Sequence, residues 1–132
     1  MLSGRCLCGT VRFEIDGQLG PAIFCHCSQC RRASGTAFAT NAPVRARYLR
    51  FVAGREAITE YPSSTGKLRA FCSRCGSPVY SRAEATAQLV SVRCGTLDGD
   101  PGIRPSTHIW VGSKAEWFEI HDALPQKQKG LV

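Results

Sequence analysis

The stretch Phe71-Cys72-Ser73-Arg74-Cys75-Gly76 decides how this chain is built. Two thiols separated by two residues and followed by glycine form a metal-binding knuckle. The pair supplies half of a tetrahedral site, and glycine permits a positive-φ turn that lets the backbone approach closely. The other half lies far upstream in Cys6-Leu7-Cys8-Gly9, where a glycine again follows the second thiol. Joining residues near 6 to residues near 75 closes a long loop and removes much of the entropy of the unfolded chain. Structural zinc contributes about 10 kcal/mol or more to the folding of small domains. Cys6, Cys8, Cys72 and Cys75 are therefore expected to staple the fold through one zinc ion.

Between these halves lies Cys25-His26-Cys27-Ser28-Gln29-Cys30. Seven of the eight cysteines are thus clustered, and they divide into a closed set of four and a compact set of three. Cys25, Cys27 and Cys30 can wrap one face of a second zinc ion, and a three-ligand zinc leaves a position for a reactant. Three candidates are open for the fourth position: Cys94, a histidine such as His26 or His108, or an exchangeable water or thiol. A closed fourth position would make both sites structural. His26 lies between two cysteines, so if both face the ion its own side chain points elsewhere.

Outward from the clusters the chain reads as strands. Thr10-Val11-Arg12-Phe13-Glu14-Ile15 alternates with period two and ends in an Asp16-Gly17 turn. Ala22–Phe24, Tyr48–Ala53, Leu68–Phe71, Val79–Ser81, Leu89–Cys94 and Ser106–Val111 read the same way. Helical material is confined to short turns at Ser28–Ser34 and Lys114–Phe118, neither long enough to be stable alone. The expectation is an all-β, mostly antiparallel domain, zinc-stapled, with minor short helices. Residues 1–132 form a single domain in this reading. Pro125 and the polar Gln126-Lys127-Gln128-Lys129 mark residues 125–132 as a frayed tail.

The 132 residues are 43% hydrophobic and 20% charged, the balance of one globular domain with its own core. No apolar run reaches the roughly 20 residues that span a bilayer, and residues 1–6 lack the apolar region of a signal peptide. A cytoplasmic location follows as the expectation. In that reducing compartment clustered cysteines are metal ligands or catalysts rather than disulfides. The formal charge of +7 counts each thiol as neutral. Seven thiolates against two Zn²⁺ remove three charges and leave about +4. Thirteen of the seventeen cations are arginines scattered from Arg5 to Arg104, so nucleic acid is not indicated. Arginine's planar fork suits a small acidic ligand at least as well. The sequence sets no oligomeric state.

Taken together, the ordered segments Cys6-Leu7-Cys8-Gly9, His26-Cys27-Ser28-Gln29-Cys30-Arg31-Arg32, Gly35-Thr36-Ala37-Phe38, Phe71–Tyr80, Gly95-Thr96-Leu97-Asp98 and His108-Ile109-Trp110-Val111 resemble the glutathione-dependent formaldehyde-activating family, which includes centromere protein V. The resemblance spans nearly the whole chain. It implies a tent-like arrangement of antiparallel sheets around zinc, with Cys6, Cys8, Cys72 and Cys75 as the structural site and Cys25, Cys27 and Cys30 as the catalytic one. The implied reaction condenses formaldehyde with glutathione to S-(hydroxymethyl)glutathione, a carbon–sulfur lyase reaction in reverse. A small thiol and an aldehyde are the implied partners.

Several residues are candidates for supporting roles. Arg31 and Arg32 follow the open site and are candidate holders of glutathione's carboxylates, against the alternative of two solvated surface arginines. Gln29 and Ser28 are placed to orient substrate. His108 is a candidate proton donor, with a structural, hydrogen-bonded histidine as the competing reading. Trp110, Trp117 and Phe118 read as core or rim aromatics. Cys94 departs from the family pattern. It closes the second site, acts as a redox thiol, or is simply buried. Two alternatives to the enzyme reading follow: a non-catalytic zinc-stapled interaction module, or a thiol redox enzyme using Cys94. The redox reading is similar to methionine-sulfoxide reductases, which keep a four-cysteine zinc beside a catalytic cysteine, but it leaves the middle cluster unexplained.

Overall fold

The computed structural model describes residues 1–131. Its strands are β1 (Leu2–Arg5), β2 (Arg12–Ile15), β3 (Ala22–Cys25), β4 (Ala39–Arg45), β5 (Leu49–Ala53), β6 (Ile58–Ser64), β7 (Lys67–Cys72), β8 (Pro78–Ala83), β9 (Leu89–Arg93) and β10 (Pro105–Ile109), with one α-helix, α1 (Ser28–Ser34). Short 3₁₀ turns join several of them. The chain is mostly β, as the alternation predicts. No helix is long and apolar enough to cross a membrane.

The strands form two sheets. The smaller has the order β1-β2-β5, the larger β10-β3-β4-β9-β8-β7-β6. Phe13 and Ile15 of the small sheet pack against Ala42, Val44, Val90 and Val92 of the large one, and all six are buried. The register sets the large sheet's two faces. Ala42 lies opposite Val92 and Val44 opposite Val90, so these point into the core. Asn41 opposite Arg93 and Pro43 opposite Ser91 therefore line the other face.

Three strands escape the sequence pattern. β1 is only four residues long and contains Gly4, whose position would drive a Cβ to 2.4 Å from the Phe13 ring. β4 and β6 carry Pro43 and Pro62, which argue against a strand interior. Both prolines sit where no ladder donor is needed. The Pro43 carbonyl accepts Gly20 N–H at 2.8 Å, so that side of the strand faces a loop rather than β9. Pro62 lies on β6, the edge of its sheet.

Two features concern β10, one of them a departure from expectation. It runs parallel to β3, Thr107 beside Ile23 and Ile109 beside Cys25, so the large sheet is mixed. The residues from Pro125 are not frayed. Pro125 O accepts from His108 N–H at 2.9 Å, Lys127 N–H donates to His108 O at 2.9 Å, and Lys129 O accepts from Trp110 N–H at 2.8 Å. β10 would otherwise leave a row of backbone groups unpaired at the sheet edge, and the tail satisfies them. Val132, the last residue of that expected tail, lies outside the described residues. The short turns fall where expected: Ser28–Ser34 is α1, and Phe118 N–H closes a turn onto Ala115 O at 3.2 Å.

Candidate functional site

Cys6, Cys8, Cys72 and Cys75 converge, their sulfurs all within 4.8 Å of one another. The knuckle glycines adopt the conformation the sequence requires, with φ of 78° at both Gly9 and Gly76. Gly9 N–H reaches Cys6 O at 3.1 Å and Gly76 N–H reaches Cys72 O at 2.7 Å. Val11 N–H donates to the Cys6 sulfur at 3.3 Å. Sulfurs at the corners of a tetrahedron with bonds of about 2.3 Å lie about 3.8 Å apart. The Cys6–Cys8 and Cys8–Cys72 separations are 3.6 and 3.9 Å, so this set fits a tetrahedral ion. A hydrogen bond with the Ser77 hydroxyl is the main cause that holds the Cys75 thiol down at about 5. Cys6 and Cys72 are buried with Val11 and Ala57, making the site part of the packing between β1 and β7.

The second set is built from one short segment. β3 delivers Cys25 and then bends; Cys27 caps α1, its sulfur accepting Cys30 N–H at 3.2 Å; Cys30 follows in the first turn. The helix ends at Gly35, φ 71°, whose N–H returns to Arg31 O at 2.8 Å. The three sulfurs again lie within 4.8 Å of one another. Thiols of Cys25 and Cys30 hydrogen-bonded to Cys27 hold the Cys27 thiol far below its ordinary range, and the nearby Arg69 charge adds to this. The same bonding pushes the Cys25 thiol up. A cation drawn to three soft sulfur donors fits this set.

Among the described residues, no fourth Cys, His, Asp or Glu joins the three. Cys94 packs instead beside the core that holds Phe13 and Ile15, on the opposite face of the large sheet from Cys25. Burial raises its pKa. The histidines also face away. His26 Nε2 and His108 Nδ1 are 2.8 Å apart, and both rings are buried among Phe24, Phe38 and Phe118.

A cavity of about 490 Å³ opens over the three thiols. Ser28 and Gln29 line it, as does Trp110, which adopts a left-handed φ of 58°. Arg31 and Arg32 do not. The cavity's cations are instead Lys67 and Arg69 from β7, and none of its lining residues is a carboxylate. Arg69 Nη1 donates to the Cys30 sulfur at 3.7 Å, Nη2 to Gln29 Oε1 at 3.3 Å and Nε to Ser63 Oγ at 3.0 Å. Burial first, then the Arg69 charge, lowers the Lys67 pKa. A signal for both cations exists in the sequence: Lys67, Arg69 and Phe71 alternate toward Cys72. Nothing in that alternation says which face meets residue 30.

The family model described as "Glutathione-dependent formaldehyde-activating enzyme" matches residues 1–113. The chain belongs to this family. A Halomonas elongata protein named "Putative glutathione-dependent formaldehyde-activating enzyme" is 33% identical over 128 residues, covering 91% of this chain and 81% of its own length. The crystal structure of a Rhodobacter sphaeroides protein superposes with a TM-score of 0.64 at 30% identity, over 78% of this chain and 97% of that one. The formaldehyde-activating family match covers both cysteine sets and all ten strands.

Proposed function

We propose that the chain is a carbon–sulfur lyase or synthase that condenses glutathione, or another small acidic thiol, with formaldehyde to S-(hydroxymethyl)glutathione. In this reading Cys6, Cys8, Cys72 and Cys75 hold a structural Zn²⁺, and Cys25, Cys27 and Cys30 hold a second one in a cytoplasmic protein. The observation that carries it is a set of three convergent thiols, without a fourth donor among the described residues, on the wall of a cavity furnished with cations and no carboxylate.

A zinc ion bound to the three thiolates would lower the pKa of a substrate thiol. The chain's own residues do the rest. Lys67, whose ammonium has no side-chain partner among the described residues, receives a substrate carboxylate. Arg69 fixes the Cys30 sulfur and the Gln29 amide together, so cluster and substrate face keep one geometry. Hydroxyls of Ser28, Ser81 and Ser91 line the same cavity and donate to developing negative charge. As the carbon–sulfur bond forms, the carbonyl π pair moves to oxygen, and the proton lost by the thiol is regained there. Cys94 needs no part in this.

Formaldehyde exchange with glutathione, followed by NMR against the spontaneous reaction, tests the proposal. Wild-type protein should accelerate exchange and Cys27→Ser should not. Absence of acceleration in zinc-loaded wild type would leave the zinc-stapled interaction module as the better account.

A further inference from the structure

A second, apolar cleft of about 260 Å³ lies beside the thiol cavity, walled by Pro21, Ile23, Pro43 and Leu131. The two spaces share Ile23, Asn41 and Ser91. Strand register places these walls on one face of the large sheet. Ile23 lies opposite Asn41, Pro43 opposite Ser91, and side chains two apart on a strand point the same way. Cys25 follows Ile23 by two residues, so the cleft begins about 7 Å from the first thiol. Cys30 reaches the other direction, to Arg69. Thiols, cations and apolar cleft therefore share one face of the large sheet, where Arg69, Ser81, Ser91 and Pro43 lie in one row across it.

Formaldehyde carries only hydrogen on its carbonyl carbon, and nothing in its reaction occupies an apolar cleft. A thiol whose carboxylates lie toward Lys67 presents its sulfur at the cysteines, and the substituent of its reaction partner then projects toward Ile23 and Pro43. Resting on the function proposed above, we infer that the chain's aldehyde substrates carry an apolar substituent, a short alkyl or aryl group that fills this cleft. The thiol sulfur bonds the carbonyl carbon, the π pair passes to oxygen, and the thiol's proton ends on that oxygen, leaving a secondary hydroxyl next to sulfur and substituent.

The test has a kinetic and a binding arm, both on the full chain loaded with Zn²⁺. In the first, NMR exchange rates with glutathione are compared for straight-chain aldehydes from formaldehyde to hexanal, each against its spontaneous rate. Acceleration should rise about fourfold for each of the first few methylenes, the equivalent of about 0.8 kcal/mol each. In the second, calorimetry compares S-methyl-, S-butyl- and S-hexylglutathione, whose affinities should rise in the same order. Ser106→Phe, at an exposed position on the cleft wall, should flatten both series, and Leu131→Glu should do so by polarity rather than bulk. Formaldehyde acceleration with no rise along either series would overturn the inference and leave the proposed function standing. No acceleration for any aldehyde would overturn both.

Discussion

His108 stands between His26 and Asp122, its Nδ1 2.8 Å from His26 Nε2 and its Nε2 3.0 Å from the Asp122 carboxylate. The carboxylate only accepts, so His108 Nε2 carries a proton, and in the neutral ring its Nδ1 accepts from His26 Nε2–H. In that arrangement His26 Nδ1 is a lone-pair nitrogen, buried and without a partner among the described residues. The line of three lies behind β3 and β10 and ties the Cys25–Cys27 bend to the tail segment. Removing its middle member, His108→Ala, would strand a buried donor and open a cavity. A loss of about 2–4 kcal/mol in urea unfolding is expected, together with loss of the His26 Nε2–H signal in ¹⁵N spectra.

Glu60 offers a cleaner view of pH dependence, because Arg82 and Tyr80 rather than any thiol set its shift. Arg82 donates to its two oxygens at 2.6 and 2.9 Å and Tyr80 at 2.9 Å, which lowers its pKa, the Arg82 bond contributing most. The unfolded carboxylate titrates near about 4.3. Between the lowered native pKa and the unfolded value the native group binds fewer protons than the unfolded one, so its stabilisation is full above the unfolded value and is lost as pH falls through the lowered native value. Glu60→Gln should cost about 1 kcal/mol at neutral pH, a discounted figure for a partly solvated group. Wild-type and variant denaturation midpoints should converge in acid.

The two cysteine sets should fail differently. Cys72→Ser removes a fully buried donor from the site that joins β1 to β7, and a cooperative thermal transition should be lost. Cys27→Ser should keep the transition and lose one metal equivalent by elemental analysis. Loss of folding in both would make the second set structural as well.

Arg69→Leu breaks the N–H to sulfur contact with Cys30 and frees Gln29. Outer partners of metal ligands are typically worth about 10–100-fold in affinity. Competition with a chromophoric chelator should show a loss in that range for the second ion alone, with partial recovery in Arg69→Lys.

Cys94→Ala should leave metal content and thiol–aldehyde exchange intact, because the side chain packs against the core between the sheets, away from the three thiols. Abolished activity with normal metal content would revive the redox reading.

How far the sequence speaks depends on how local each signal is. The Cys6 and Cys72 knuckles are legible because thiol spacing and a following glycine are dictated by one coordination geometry, and the seven-residue α1 follows from the middle cluster. β4 and β6 were hidden by Pro43 and Pro62, since sequence does not reveal which side of a strand goes unpaired. Arg31 and Arg32 stand out over Lys67 and Arg69 in the sequence because they adjoin Cys30 along the chain, which is not adjacency in space. The arginines on α1 do not line the cavity, whereas β7, reached only through β4, β5 and the hairpin with β6, brings its cations to it.

The two cysteine sets differ also in when they can exist. Cys25, Cys27 and Cys30 emerge within six residues of one another, so a growing chain presents that triad complete while most of the large sheet is still unmade. Cys6 and Cys8 must wait for Cys72 and Cys75, and their meeting requires β7 and β8 to have turned back on each other. The four-thiol staple is thus the later of the two sets to close. Metal held there certifies that the chain has folded back from Cys75 onto Cys6, whereas metal held by the triad certifies only that the first thirty residues have been made.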